Sequence, residues 1–155
     1  MKLIYELDRA NRAAFEDAGG KDEKILYCIP YEYEDHAMVD GYLVLTPTHL
    51  YKLCSGRLAD KWDIRHMSDF SVETLYGCGA FYAKLDQSSL LLCRFSNGKS
   101  MVRYTVLAHA CNMVAAGRTE NLPTSDEPER YCPKCGRPFI RNTHICPYCR
   151  DKSKI

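Results

Sequence analysis

Residues 90–117 read LLLCRFSNGKSMVRYTVLAHACNMVAAG, and this stretch decides the fold because it changes from a strand pattern to a helix pattern. Its first part, Leu90 to Phe95, is a short apolar run followed by turn residues, which is typical of a β-strand. From Met101 to Ala116, apolar residues recur three and four positions apart, which predicts an amphipathic helix. These residues are Tyr104, Leu107, Cys111 and Val114. Ser100 and Gly117 are suited to begin and end the helix.

Upstream of this helix the sequence predicts seven short β-strands. Each is rich in β-branched, aromatic or leucine residues, and turn-forming residues separate each from the next. The runs are Ile25 to Tyr33, Gly41 to Thr46, Leu50 to Cys54, Leu58 to Ile64, Phe70 to Tyr76, Ala80 to Leu85 and Leu90 to Phe95. Strands so close together predict an antiparallel meander, since parallel strands need long crossover connections. We therefore expect an α+β, mainly β fold in which the helix plugs the open end of a curled sheet.

The sequence divides into four parts. Leu3 to Ala18 has apolar residues at rough helical spacing and stops at a glycine pair, which predicts a short helix. A later segment rich in proline, serine, threonine and acidic residues predicts a flexible linker. The predicted parts are an N-terminal helix (1–20), the strands with their long helix (21–118), the linker (119–129) and a small C-terminal unit (130–155).

The C-terminal unit contains four cysteines in the pattern C-x2-C-x10-C-x2-C, which is typical of a zinc ribbon. The four are Cys132, Cys135, Cys146 and Cys149. Each Cys-x-x-Cys turn aims two thiolates at one point, and the residues between the pairs can form a hairpin. Four thiolates fill a tetrahedral site, so we expect one Zn²⁺ with a structural role. Paired disulfides, a redox Cys-x-x-Cys pair or His144 as a ligand are the alternatives.

The charge of the chain is unevenly distributed. The net charge is +1, but residues 1–129 carry a net charge of −5 and residues 130–155 carry +6. Four thiolates and one Zn²⁺ would lower the latter to about +4. Such a tail can contact an anionic membrane, a nucleic acid or a protein, or can simply be solvated. The residues expected to make a membrane or anion contact are Arg137, Arg141, Arg150, Lys152 and Lys154.

The sequence does not predict an enzyme. Gly98-Lys99-Ser100 matches the end of a phosphate-binding loop, but Cys93 replaces its first glycine. The sequence has no apolar run of about 20 residues and no secretory signal at its start. Five scattered cysteines are therefore expected to be reduced, partly buried thiols in a reducing compartment. They are Cys28, Cys54, Cys78, Cys93 and Cys111.

The strands with their helix, followed by the cysteine-rich C-terminal unit, resemble a known family. The strands and helix from Glu23 to Gly117 resemble a pleckstrin-homology-like, seven-strand barrel capped by a C-terminal helix. The motifs GYLVLTP at 41–47, YCPKCGRP at 131–138 and CPYCRDK at 146–152 together resemble the N-terminal cytosolic region of certain bacterial ATP-binding-cassette exporters.

The resemblance implies that the chain is a noncatalytic regulatory or docking fragment. The transmembrane and ATPase parts would lie downstream of Ile155, and only the parent transporter would hydrolyse ATP. The implied location is the cytoplasmic face of the membrane. The implied partners are other domains of the transporter, the anionic membrane surface and further copies held together by the transporter.

Two other functions remain alternatives. A zinc-ribbon nucleic-acid-binding protein, such as a transcription accessory protein, would use the basic tail on phosphates and stack aromatic residues on bases. Those aromatic residues are Tyr131, Phe139 and Tyr148. The acidic body argues against this function. An enzyme with an unrecognised pocket is the other alternative, although the sequence shows no coupled acid, base or nucleophile.

Overall fold

The computed structural model describes residues 2–34, 37–75, 77–96, 99–123, 130–131 and 138–139. It contains two helices and nine strands within these residues. The helices are α1 (Arg9–Asp17) and α2 (Lys99–Ala115), and the strands are β1 (Tyr27–Glu34), β2 (Ala37–Leu45), β3 (His49–Cys54), β4 (Arg57–Asp63), β5 (Met67–Leu75), β6 (Cys78–Leu85), β7 (Ser88–Ser96), β8 (Arg130–Tyr131) and β9 (Pro138–Phe139). The predicted α+β, mainly β fold is confirmed.

Strands β1 to β7 form one antiparallel sheet with the order β4-β3-β2-β1-β7-β6-β5. The edge strands β4 and β5 are consecutive in the chain and are joined by the 3-10 turn Ile64–His66. Three residues span at most about 10 Å, so the sheet must curl until its two edges approach each other at this corner. Strands β8 and β9 form a separate two-stranded antiparallel sheet.

The expected barrel is not closed by hydrogen bonds in the described part of the chain. Strands β4 and β5 stand at opposite ends of the sheet order, and no ladder joins them among the described residues. Strand β1 meets β7 at the register pair Tyr33 with Arg94, close to the end of β1. The start of β1 is instead bordered by the N-terminal segment. The result is a curled, open sheet rather than a closed cylinder.

The predicted helix from Leu3 to Ala18 is wrong in its first part, which is extended. The backbone N–H of Cys28 donates to the Leu3 carbonyl (3.0 Å), and the N–H of Tyr5 donates to the Cys28 carbonyl (2.9 Å). The physical reason is that β1 offers an unpaired edge, and pairing satisfies its polar groups while burying Leu3, which is 2% exposed. α1 begins only at Arg9, after Asp8 accepts a hydrogen bond from the N–H of Asn11 (2.8 Å).

Pro30 lies inside β1 without breaking the ladder to β2. The polar backbone groups of Cys28 point toward Leu3–Tyr5, and residues two apart in a strand point the same way. An N–H at position 30 would point away from β2. Its absence in Pro30 therefore removes no hydrogen bond from the ladder between β1 and β2. Its carbonyl accepts a hydrogen bond from the Tyr104 hydroxyl (2.8 Å), which joins β1 to α2.

α2 covers the inner face of the sheet and forms the main core with it. Its predicted apolar face is confirmed, since Tyr104, Leu107, Cys111 and Val114 are all buried. The Tyr104 ring stacks on Phe95 of β7 with centroids 4.1 Å apart. After the helix, Leu122 packs against this core, and the Pro123 carbonyl accepts a hydrogen bond from the Tyr27 hydroxyl.

α1 forms a second core on the outer face of β1 to β3. The Phe15 ring contacts the Tyr51 ring edge-on, with centroids 4.8 Å apart. Gly20 closes over Phe15, and a Cβ atom at Gly20 would lie 2.4 Å from that ring. This close approach requires glycine and directs the following residues, including Glu23, toward the turn between β2 and β3.

Candidate functional site

The residues predicted from the sequence to form a site lie outside the described residues. They comprise the zinc ligands Cys132, Cys135, Cys146 and Cys149 and the basic residues Arg137, Arg141, Arg150, Lys152 and Lys154. Within the described residues, no group of three or more His, Cys, Asp or Glu side chains is arranged to hold a metal ion. The zinc site therefore stays a prediction from the spacing of the four cysteines.

Strands β8 and β9 lie on either side of the first Cys-x-x-Cys pair in the chain. Arg130 pairs with Phe139, and Tyr131 pairs with Pro138. Paired residues of an antiparallel ladder lie about 5 Å apart, so the chain leaves at Tyr131 and returns beside it at Pro138. Cys132 and Cys135 fall within this connection. The connecting residues 132–137 themselves lie outside the described residues.

The five cysteines of the β-rich body do not form disulfides among the described residues. Cys28, Cys93 and Cys111 are buried, and Cys54 and Cys78 are half-buried. Burial raises the pKa of Cys28 to about 12 and also raises the pKa of Cys111. These two thiols are therefore protonated at neutral pH and act as small apolar side chains.

A surface groove of about 580 Å³ lies beside the edge strand β5. It is lined by Asp69, Phe70, Ser71 and Glu73 of β5, by Tyr82, Ala83 and Lys84 of β6, by Ser89 of β7 and by Asn112 of α2. The side-chain amide of Asn112 on α2 holds β5 at this groove. The Phe70 N–H donates to Asn112 Oδ1 (2.9 Å), and Asn112 Nδ2 donates to the Phe70 carbonyl (3.0 Å). One side chain thus makes the pair of hydrogen bonds that a neighbouring strand would make.

The backbone of β5 beyond Phe70 remains at the edge of the sheet. In a regular strand, Val72 and Thr74 direct their N–H and carbonyl groups to the same side as Phe70. The carboxylates of Asp69 and Glu73 line the groove. Lys84 Nζ lies 3.4 Å from the Asp69 carboxylate and offsets one of these charges. The groove therefore suits an extended polypeptide that carries a basic side chain.

A second polar cluster surrounds Glu23 and was not foreseen from the sequence. The Glu23 carboxylate accepts hydrogen bonds from the hydroxyls of Thr48 and Tyr51, and His49 Nδ1 lies 3.4 Å from Glu23 Oε1. Partial burial raises the pKa of Glu23, but these hydrogen bonds outweigh burial, so its pKa lies below the ordinary value. Burial and the neighbouring carboxylate raise the pKa of Tyr51. At neutral pH the carboxylate is charged and the phenol is neutral.

The Glu23 cluster fastens the segment after α1 to the sheet. Lys61 on β4 contributes to the same attachment, since its Nζ donates to the Ala18 carbonyl (2.7 Å) at the end of α1. The same Nζ lies 5.2 Å from the centroid of the Tyr51 ring. No sequence signal identified this cluster, because about 25 residues separate Glu23 from its partners.

Within the described residues, no helix combines the length and the apolar character needed to cross a membrane. Comparison of the chain with protein-family models, with curated proteins and with solved structures found no significant match.

Proposed function

We propose that the chain is a noncatalytic regulatory or docking region with a structural zinc ribbon, held at the cytoplasmic face of a membrane as part of an ATP-binding-cassette exporter. The observation that carries the proposal is the β8–β9 register around Cys132 and Cys135, combined with the repeat of the same Cys-x-x-Cys spacing at Cys146 and Cys149. Four thiolates around Zn²⁺ would replace the apolar core that so short a segment lacks.

A pleckstrin-homology-like arrangement of the body is part of the proposal. The sheet order β4-β3-β2-β1-β7-β6-β5 and the helix that follows the last strand support it. In this arrangement α2 covers the face of the curled sheet that the strands leave open. The body would then provide a rigid platform for the groove beside β5.

Docking would use the groove beside β5, which residues of β5, β6 and β7 and Asn112 of α2 line. An extended segment of another transporter domain would pair with the backbone of Val72 and Thr74, next to the position that Asn112 already occupies. A basic side chain of that segment would lie near Asp69 and Glu73. The basic tail of the chain would lie against anionic headgroups, where each Lys or Arg contributes about 1 kcal/mol.

The zinc site is tested by metal analysis of the purified chain. We expect one zinc per chain in native mass spectrometry and elemental analysis. Cys132→Ser and Cys146→Ser should each abolish zinc binding, because each removes one thiolate of a closed tetrahedral set. Cys54→Ser, in the half-buried end of β3, is the matched control and should keep its zinc. Iron in place of zinc, two metals per chain, or zinc retained by Cys132→Ser would contradict the proposed site.

The membrane contact is tested by sedimentation with lipid vesicles. We expect binding to vesicles that contain phosphatidylserine, weaker binding as salt is raised, and none to phosphatidylcholine alone. The pair Lys152→Glu and Lys154→Glu should reduce binding. The charge-matched pair Lys21→Glu and Lys24→Glu, exposed on the body, should not.

The same preparation distinguishes the nucleic-acid alternative. The proposal predicts no tight binding to single-stranded or double-stranded DNA at physiological salt. Tight binding whose affinity falls steeply with salt would favour the zinc-ribbon nucleic-acid binder instead, because counterion release gives such a slope.

A further inference from the structure

The extended N-terminal segment forms a small basic and apolar surface beside α2. Leu3 is buried in the main core, whereas its neighbour Ile4 is 56% exposed. Residues two apart in an extended segment project to the same side, so the exposed Lys2 shares the side of Ile4. Lys2, Ile4, Tyr5 and Arg103 of α2 are called the Tyr5 patch below.

Two cations of the Tyr5 patch lie against one aromatic ring. Lys2 Nζ is 4.6 Å from the centroid of the Tyr5 ring, and Arg103 Cζ is 5.3 Å from the same centroid. The two positive charges are therefore within about 10 Å of each other, which is the distance over which moderate salt screens exposed charges. Two like charges so close together repel each other.

The described part of the chain does not neutralise either cation. No carboxylate of the described residues forms an ion pair with Lys2 or Arg103. The Nε atom of Arg103 is buried and has no hydrogen-bond partner among these residues, although buried donors are normally paired. An anion that contacts both side chains would offset their repulsion.

The exposed apolar side chain favours a lipid surface over a soluble anion. A soluble phosphate would leave Ile4 in water, whereas a membrane can take up Ile4 while Lys2 and Arg103 stay at the headgroups. Tyr5 suits the same boundary, where aromatic side chains with a polar end are enriched. Residues 1–129 carry a net charge of −5, so a basic patch is the side of the body that can approach an anionic membrane.

We infer that the Tyr5 patch lies against the anionic membrane surface, with Ile4 inserted among the lipids and with Lys2 and Arg103 at their phosphate groups. The inference rests on the proposed function, because it assumes that the chain is held at a membrane. It adds the side of the β-rich body that faces the lipids, and it requires neither the zinc site nor the basic tail.

Sedimentation of the full-length chain with vesicles that contain phosphatidylserine tests the inference. Lys2→Ala should weaken binding about fivefold, because one basic side chain near such a surface contributes about that factor. Ile4→Ser should weaken binding about tenfold, since the vesicle no longer buries the exposed part of an isoleucine. Glu6→Gln removes an exposed negative charge two residues from Ile4 and should strengthen binding.

Met38→Ser is the matched control for the apolar contact. Met38 is 78% exposed, but it pairs with Tyr33, whereas Ile4 is bridged to Cys28. Five residues of β1 separate these two positions, a distance of about 16 Å along the strand. Met38→Ser should therefore leave vesicle binding unchanged.

Insertion of Ile4 is measured by tryptophan fluorescence. Ile4→Trp should be quenched by vesicles with brominated acyl chains, and Met38→Trp should not. Trp62 is only 8% exposed and gives the same background in both variants. Phosphate ions should displace the chain from vesicles no better than chloride at equal ionic strength, whereas specific displacement by phosphate would identify a soluble-anion site instead.

Failure of the inference can be distinguished from failure of the proposed function. No binding of the wild-type chain to phosphatidylserine vesicles would refute the proposed membrane contact. Binding that falls in the Lys152→Glu and Lys154→Glu pair but is unchanged in Ile4→Ser would refute the Tyr5 patch and leave the proposed function intact. An equal loss in Ile4→Ser and Met38→Ser would also refute it. A loss in Lys2→Ala and Ile4→Ser alone would support it.

Discussion

At the residue scale, Glu23 shows how one partly buried carboxylate can attach a helix to a sheet. Its partners Thr48, His49 and Tyr51 belong to the β2–β3 turn and to β3, whereas Glu23 follows α1 in the chain. A sequence pattern could not reveal this cluster, because the contact depends on how α1 docks rather than on local spacing. The cysteine spacing could be recognised because it is a short pattern that occurs twice, and the metal site that it indicates stays a prediction.

We predict that Glu23→Gln lowers the free energy of unfolding by about 1 kcal/mol, because the two hydroxyl donors lose a charged acceptor that is partly screened by solvent. Chemical denaturation would measure the change. Glu16→Gln, exposed on α1, is the control and should have little effect. A loss as small as that of the control would show that the cluster contributes nothing to stability.

The Glu23 carboxylate should also make the stability of the protein depend on pH. The pKa of Glu23 is lower in the folded chain than in the unfolded chain. Its stabilising contribution is therefore complete above the ordinary glutamate pKa, near pH 4, and is lost as pH falls through the lowered folded pKa. The difference in stability between wild type and Glu23→Gln should shrink over that acidic range. A difference that stays constant down to the lowest pH at which both fold would contradict this assignment.

At the element scale, α2 was predicted correctly and the N-terminal segment was not. The apolar residues of α2 face one sheet, so their spacing follows the period of the helix. Leu3 and Leu7 are spaced like helix residues, but Leu3 is buried in an extended segment beside Cys28. The pairing is set by the unoccupied edge of β1, some 24 residues away, and the local sequence carries no information about that edge.

Asn112 provides a prediction at this scale. Asn112→Ala removes both hydrogen bonds to Phe70, and we expect the free energy of unfolding to fall by about 2 kcal/mol, at about 1 kcal/mol per hydrogen bond. Hydrogen exchange of the Phe70 amide should accelerate. Asn112→Asp keeps an acceptor for the Phe70 amide but, when ionised, cannot donate to the Phe70 carbonyl. The exchange rate of the Phe70 amide in this variant should therefore lie between those of wild type and Asn112→Ala. Equal protection in all three chains would contradict the proposed hold on β5.

At the scale of the whole molecule, the strand count, the antiparallel order and the final helix were predictable, whereas the closure of the sheet was not. A closed cylinder would need a ladder between the edge strands β4 and β5, and none joins them among the described residues. The pairing of Leu3–Tyr5 with the start of β1 could not be predicted either, because the partners are far apart in the chain. The groove beside β5 could not be predicted from the sequence either. It depends on the contact between Asn112 and Phe70, which are 42 residues apart in the chain.

Shortening the chain provides a prediction at this scale. A chain of residues 1–123 should fold, because it keeps both helices and all seven strands of the large sheet. A chain of residues 1–117 should be less stable by about 1 to 2 kcal/mol, since it also loses the Tyr27–Pro123 hydrogen bond and the packing of Leu122. Calorimetry would compare the two shortened chains. Equal stability of the two shortened chains would contradict a role for residues 118–123.

Pro30 also affects how readily the protein would aggregate at high concentration. If the N-terminal segment came away, the start of β1 would present a bare edge with which a strand of a neighbouring molecule could pair. Because Pro30 has no backbone N–H, that edge lacks one hydrogen-bond donor. A strand from a neighbouring molecule could not form a complete ladder with it. The same residue that spares the native ladder therefore discourages polymerisation.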